Sequence, residues 1–202
     1  MEDTKQKPTI VLTGFGLFRD YKINPSWEAV QRIKWSRSDI ELVRIQIPVV
    51  YKLAKQEVDR IWSHYKPLFV IHCGVSHLAK CLTLEQRAVV NLERYCSPDI
   101  NGCKPVSASC NCDIQYLYTK LKLEPIVDEI KAQHDCGKLA MTAVISNCAG
   151  EFLCEYTYRC SLENDCSRAL FVHVPNETKT DQIDILANGL EVIIDSVIKQ
   201  VC

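Results

Sequence analysis

The stretch RALFVHVP, residues 168–175, decides the fold. From Ala169 to Val174 it is apolar at odd and even positions alike, with His173 as its one polar interruption. A strand with one face in water alternates apolar and polar residues, so an unalternating run belongs to a strand covered on both faces. Similar runs stand at TIVLTG (9–14), PLFVIHCG (67–74) and LAMTAVIS (139–146), and IELVRIQIPVV (40–50) reads as a further strand. The amphipathic segments between them are too long to be turns. The expected class is therefore α/β: a three-layer α/β/α sandwich around a mixed, mostly parallel sheet. Asn24 followed by Pro25 signals a helix start, with Trp27, Val30 and Ile33 on one face. Ala54, Val58, Ile61, Trp62 and Tyr65 share helical spacing within 50–65, and residues 181–200 form a long apolar-faced helix.

The chain has 202 residues, which suffices for one substantial core, and a single domain over 1–202 is expected. Its 24 Lys and Arg balance 25 Asp and Glu without a basic block, which argues against a nucleic-acid partner. No run approaches the length of a membrane span, and MEDTKQKP lacks the apolar region of a secretory signal. A soluble, intracellular and cytoplasmic protein is expected, with its twelve cysteines reduced. Four of them, Cys96, Cys103, Cys110 and Cys112, crowd a polar segment. They lack paired Cys-x2-Cys knuckles, and no histidine falls among them, so no metal is expected there. From Asn91 to Cys112 the periodicity fails around Pro98, Asn101, Gly102 and Pro105, which reads as a long loop of the kind that covers sites.

Ligands of such sheets bind beyond the carboxyl ends of strands. Four junctions qualify: TGFGLF (13–18), HCGVS (72–76), SNCAGEFLC (146–154) and FVHVP (171–175). Cys148 falls in the turn after a strand. Cys154 falls in the first turns of a helix opened by Ala149 and Gly150, where the helix dipole favours a thiolate. Alternatively, Cys154 is a small buried hydrophobe. His173 and His72 each interrupt an apolar strand and need a partner, as catalytic groups or as satisfied core residues. His64, His77 and His134 read as surface residues. Glu85 alternates with Leu82 and Leu84, which also suits an outward-facing strand residue paired with Arg87.

Taken in order, these motifs resemble those of pyroglutamyl-peptidase I, a family of cysteine peptidases that remove N-terminal pyroglutamate. TGFGLF with NPSW resembles the family's N-terminal signature, GVSHLAKCLTLEQRA its glutamate signature, AGEFLCEYTY its cysteine signature and FVHVP its histidine signature. The resemblance implies Cys154 as nucleophile, His173 as general base and acid, and Glu85 as the acid that orients the imidazole. It implies Phe15 and Phe18 as aromatic contacts of the lactam ring, where ordinary core packing is the alternative. It further implies no cofactor, short pyroglutamyl peptides as partners, and oxyanion donors at Gly74 or at the head of the Cys154 helix. The chain departs from the pattern at Cys148, at Gln86, where Arg87 is the nearest cation, and in the segment from Cys96 to Cys112. A non-catalytic protein that holds blocked N-termini on the same fold, and a metal-binding redox protein, are the competing readings.

Overall fold

Strand β1 (Thr9–Phe15) is buried along its whole length and runs parallel to both its neighbours, β2 (Glu41–Ile47) and β3 (Val70–Ser76). The computed structural model describes residues 7–18, 22–105 and 113–202. Three further strands complete the main sheet: β4 (Leu82–Glu85), β7 (Ala143–Ser146) and β8 (Ala169–Pro175), in the order β2-β1-β3-β8-β4-β7. Strand β8 is parallel to β3, whereas β4 is antiparallel to β8 and parallel to β7. The reversal has a simple cause. Only residues 77–81 separate β3 from β4, too few for a crossover helix, so the chain must turn back. Two short strands, β5 (Arg87–Val89) and β6 (Tyr116–Tyr118), form a separate antiparallel ribbon.

The expected sandwich is present. On one face α1 (Pro25–Arg32), α3 (Leu123–Asp135) and α5 (Thr180–Val201) enclose a core that includes Ile10, Leu12, Ile71, Leu84, Val172 and Val174. On the other, α2 (Tyr51–Arg60) and α4 (Leu153–Asn164) cover Val11, Phe15, Val70 and Phe171. The parity of each strand thus assigns its side chains to one layer or the other. Removing a ring such as Phe171, wholly buried, would cost about 3–5 kcal/mol.

The segment 50–65 is one helix to its face but not to its ladder. After Arg60 the turns widen into a π-helical stretch, Ile61–Tyr65, that ends at Lys66 in the left-handed region. The side chains of Ile61 and Trp62 stay in the core, and Trp62 Nε1 donates to Ser161 Oγ at 2.8 Å, which ties this stretch to α4.

At the start of α1, Asn24 caps as expected: its Oδ1 accepts from Ser26 N at 3.1 Å, and its Nδ2 donates to Gly16 O at 2.9 Å. Ser26 Oγ in turn accepts from Phe15 N at 3.1 Å. Helix and strand meet so closely that an added Cβ on Gly14 would lie 2.6 Å from Trp27 Cα. Only glycine fits there. The cap therefore holds the end of β1, Phe15 and Gly16, in a fixed place. Among the described residues no helix is long and apolar enough to cross a membrane.

Candidate active site

Strand parity brings together three residues far apart in sequence. On β8, Leu170, Val172 and Val174 face the α1, α3 and α5 layer, so Phe171 and His173 face the other. On β4, Leu82 and Leu84 join the first layer, so Glu85 joins the second. The head of α4, with Cys154 as its second residue, lies over this second face beside β3.

His173 Nδ1 donates to Glu85 Oε1 at 2.7 Å, across 88 residues of sequence, with the glutamate only 1% and the histidine 6% exposed. The other ring nitrogen remains for Cys154, whose side chain is hydrogen-bonded to the imidazole. Burial works against the charged ring, but the bonds to Cys154 and Glu85 outweigh it and hold His173 up at about 10. The thiol itself rests on Gly74, where an added Cβ would lie 2.8 Å from Cys154 Sγ and 2.7 Å from Phe171 Cζ. Any larger residue would displace the sulfur. Tyr158, one turn further along α4 and fully buried, donates from its hydroxyl to Glu85 O at 2.8 Å. Glu155 Oε1 accepts from Val89 N at 3.1 Å, so the strand after Glu85 is pinned to the helix that carries Cys154.

A cavity of about 930 Å³ opens over Cys154. Its position follows from the sheet. Strand β1 pairs with β3 only as far as Thr13 and His72, yet stays paired with β2 as far as Phe15 and Ile47. Beyond His72, β1 and β3 are no longer paired, at the point where the chain order switches from one side of β1 to the other. Phe15, Leu17, Phe18, Phe152, Val75, His77, Asn176 and the Ser97–Ile100 stretch line the space with Cys154. Phe18 and Phe152 lie ring to ring, 5.3 Å between centroids, and Tyr51 meets Phe152 edge-on at 5.8 Å.

The expected residues Glu85, Cys154 and His173 thus converge, and Phe15 and Phe18 line the cavity beside them. Phe152, two residues before Cys154, is a further wall that the sequence did not single out. Its signal was its neighbours, since it stands in the cysteine motif itself. Tyr158 and Glu155 share that motif and were equally unmarked.

Two expectations are corrected. Glu85 is not an outward-facing partner of Arg87: the guanidinium binds Asn147 O at 2.9 Å and Tyr118 Oη at 3.2 Å, and stacks on Tyr116. Helix α4 is not opened by Ala149 and Gly150. Gly150 has φ +96, a turn conformation, and the helix begins at Leu153, which puts Cys154 even nearer the free N–H groups of its first turn. His77 is exposed, as expected of a surface residue, and it also lines the cavity. The ten cysteines among the described residues are all unpaired, and no group of three or more potential ligands among those residues is placed to hold a metal. Cys110 and Cys112 lie outside the described residues.

A thiol at a helix head, an imidazole and a buried carboxylate, joined in a chain beneath a pocket on a doubly covered sheet, define an α/β protein equipped for acyl transfer through cysteine. The sequence profile of the pyroglutamyl peptidase family matches residues 8–197. Pyroglutamyl-peptidase 1 of Homo sapiens is 30% identical over 194 residues, covering 95% of this chain and 90% of the human protein. The same fold is found in pyroglutamyl peptidase I of Bacillus amyloliquefaciens, with a TM-score of 0.77, 24% identity and 95% of each chain covered. It is also found in a mutant pyrrolidone carboxyl peptidase of Pyrococcus furiosus, with a TM-score of 0.78, 22% identity, and 96% of this chain and 100% of the other covered. The chain belongs to the pyroglutamyl peptidase family.

Proposed function

We propose that this protein is a cysteine exopeptidase that removes N-terminal pyroglutamate from short peptides, with residues 1–202 acting as one domain. One observation carries the reading. The buried Glu85–His173 pair, 2.7 Å apart, stands beneath a thiol that opens on an aromatic-walled cavity. Burying such a pair costs free energy that a mere binding protein has no use for.

In this reading the thiol proton already rests on His173, whose ring is held charged between Glu85 and Cys154, so Cys154 attacks the carbonyl joining pyroglutamate to the next residue as a thiolate, and the ring then gives that proton to the departing amine. A water, deprotonated by the same ring, hydrolyses the thioester, releasing pyroglutamate and restoring the thiol. Glu85 fixes the imidazole and stabilises its charged form. The lactam ring lies among Phe15, Phe18 and Phe152. Donors for the oxyanion come from the backbone around Gly74, where β1 no longer pairs with β3, or from the head of α4. No step calls for a metal or cofactor, and unpaired thiols suit a reducing cytoplasm.

The test is release of aniline from a pyroglutamyl anilide by the purified protein. Turnover that vanishes in Cys154→Ser supports the reading. Turnover that survives in that variant, or is absent from the wild type, sinks it.

A further inference from the structure

At about 930 Å³ the cavity matches the upper end of the range for drug-sized ligands, ~300–1,000 Å³, far more than a five-membered ring needs. The excess has a direction. Cys154 sits over β3 at Gly74, with Phe15 to one side on β1 and His173 to the other on β8. His173 must hand its proton to the departing amine, so the departing chain leaves on the β8 side while the ring lies on the β1 side.

Two polar residues wait on that side. His77 directly follows β3 and Asn176 directly follows β8. Gly74 and His173 are paired in register, as are Ser76 and Pro175, so both residues stand just past the same end of the ladder that holds the thiol. Both line the cavity, and Asn176 Nδ2 donates to His77 Nδ1 at 3.3 Å. That bond sets the amide, leaving Asn176 Oδ1 as an acceptor. An extended peptide leaving the thiol presents main-chain N–H and C=O groups there.

We propose that His77 and Asn176 form the leaving-side subsite, which binds the main chain of the residue released after pyroglutamate. Asn176 makes the contact, and His77 orients it. The proposal rests on the exopeptidase reading and adds a preference for peptides over leaving groups that have no main chain.

The experiment compares a pyroglutamyl tripeptide amide with pyroglutamyl anilide, whose leaving group lacks N–H and C=O beyond the scissile bond. In Asn176→Ala, the peptide-to-anilide ratio of kcat/KM is expected to fall about tenfold, as for one lost hydrogen bond to substrate. His77→Ala should lower it less, and the double variant no further than Asn176→Ala. Because the measure is a ratio within one variant, a general loss of folded enzyme cancels. A ratio unchanged within about twofold overturns the subsite and leaves the exopeptidase reading standing. A wild type that hydrolyses neither substrate overturns that reading and the subsite with it.

Discussion

His72 and His173 interrupt adjacent strands, face the same layer and are both hidden from water, yet their surroundings act on them in opposite directions. His72 Nδ1 meets only the Thr13 hydroxyl, at 2.8 Å, and its Nε2 has no partner among the described residues. Burial pushes it down to about 3, so it is neutral. His173 has a carboxylate at 2.7 Å and a thiol on its other side, and is held up at about 10. Phe171 lies between the two rings, 6.4 Å from one and 4.9 Å from the other. Burial of a histidine therefore marks nothing by itself. The charge of its partner decides whether the ring packs or moves protons.

The largest expected effect tests that contrast directly. His173→Gln should lower kcat/KM by about 10³-fold or more, since it removes the proton carrier bonded to the thiol. His72→Gln, which can still bond Thr13, should cost less than about tenfold. Steady-state rates on pyroglutamyl anilide check both, and similar losses in the two variants would break the comparison.

Next in size is Glu85→Gln. A neutral amide keeps the shape but not the charge, and a loss of about 10²–10⁴-fold is expected. The imidazole should then keep only the thiol against its burial, and its titration should come down from about 10 towards that of His72. NMR titration of the ring would follow this, and an unmoved titration would mean that Glu85 does not supply the stabilisation.

The two histidines also show how far the sequence could be read. Both stood out, because an imidazole in an apolar run is conspicuous, but the sequence could not say which one had a carboxylate. Strands β1, β3 and β8 were legible because both their faces are buried. Strand β4 was not. LTLE alternates like a surface strand, and its charged residue points inward only because α4 roofs that face. The ribbon of β5 and β6 has three residues in each strand, too few for a period to register. The start of α4 was misplaced because Phe152, at its cap, has no side-chain oxygen to announce it. Glu85, Cys154 and His173 were linked only by the ordered family motifs, since their meeting is made by strand order and parity, which no local pattern records.

Smaller effects appear in stability against pH. His72 binds fewer protons folded than unfolded, so its contribution is complete above ~6.5 and is lost as pH falls through about 3. His173 tilts the other way: its contribution is complete below ~6.5 and is lost as pH rises through about 10. Glu155, pushed up to about 7 by burial against the opposing bond from Val89 N, is likewise stabilising at low pH, and that contribution is lost as pH rises through 7. Each limb is worth roughly 3–5 kcal/mol at most. Urea unfolding from pH 4 to 9 should show His72→Gln losing the acid-side fall, and Glu155→Gln losing the decline between about pH 5 and 7. Parallel curves for wild type and His72→Gln would mean that His72 does not titrate with folding.

The smallest effect concerns two cysteines in one motif, and it sharpens the same lesson about partners. Cys148 lies only six residues before Cys154 and is exposed, in the turn after β7. Its backbone N–H donates to Ser146 Oγ at 3.1 Å, a bond that a serine at 148 would keep, since it does not involve the side chain. Among the described residues Cys148 has the exposed Arg87 guanidinium within electrostatic reach, but no imidazole and no helix head beside it, so it lacks the base that arms Cys154. Cys148→Ser should therefore leave kcat/KM within about twofold and stability within ~0.5 kcal/mol, the usual range for an exposed position. Alkylation is the more telling measurement. In Cys148→Ser, iodoacetamide should still abolish turnover, and a bound pyroglutamyl ligand should slow that loss by covering Cys154. In the wild type, the same ligand should leave modification of Cys148 unhindered, as mass spectrometry of the labelled peptide would reveal. If labelling Cys148 alone stopped turnover, or if the ligand shielded both thiols equally, the turn before α4 would belong to the pocket wall, and nearness rather than partnership would govern this motif.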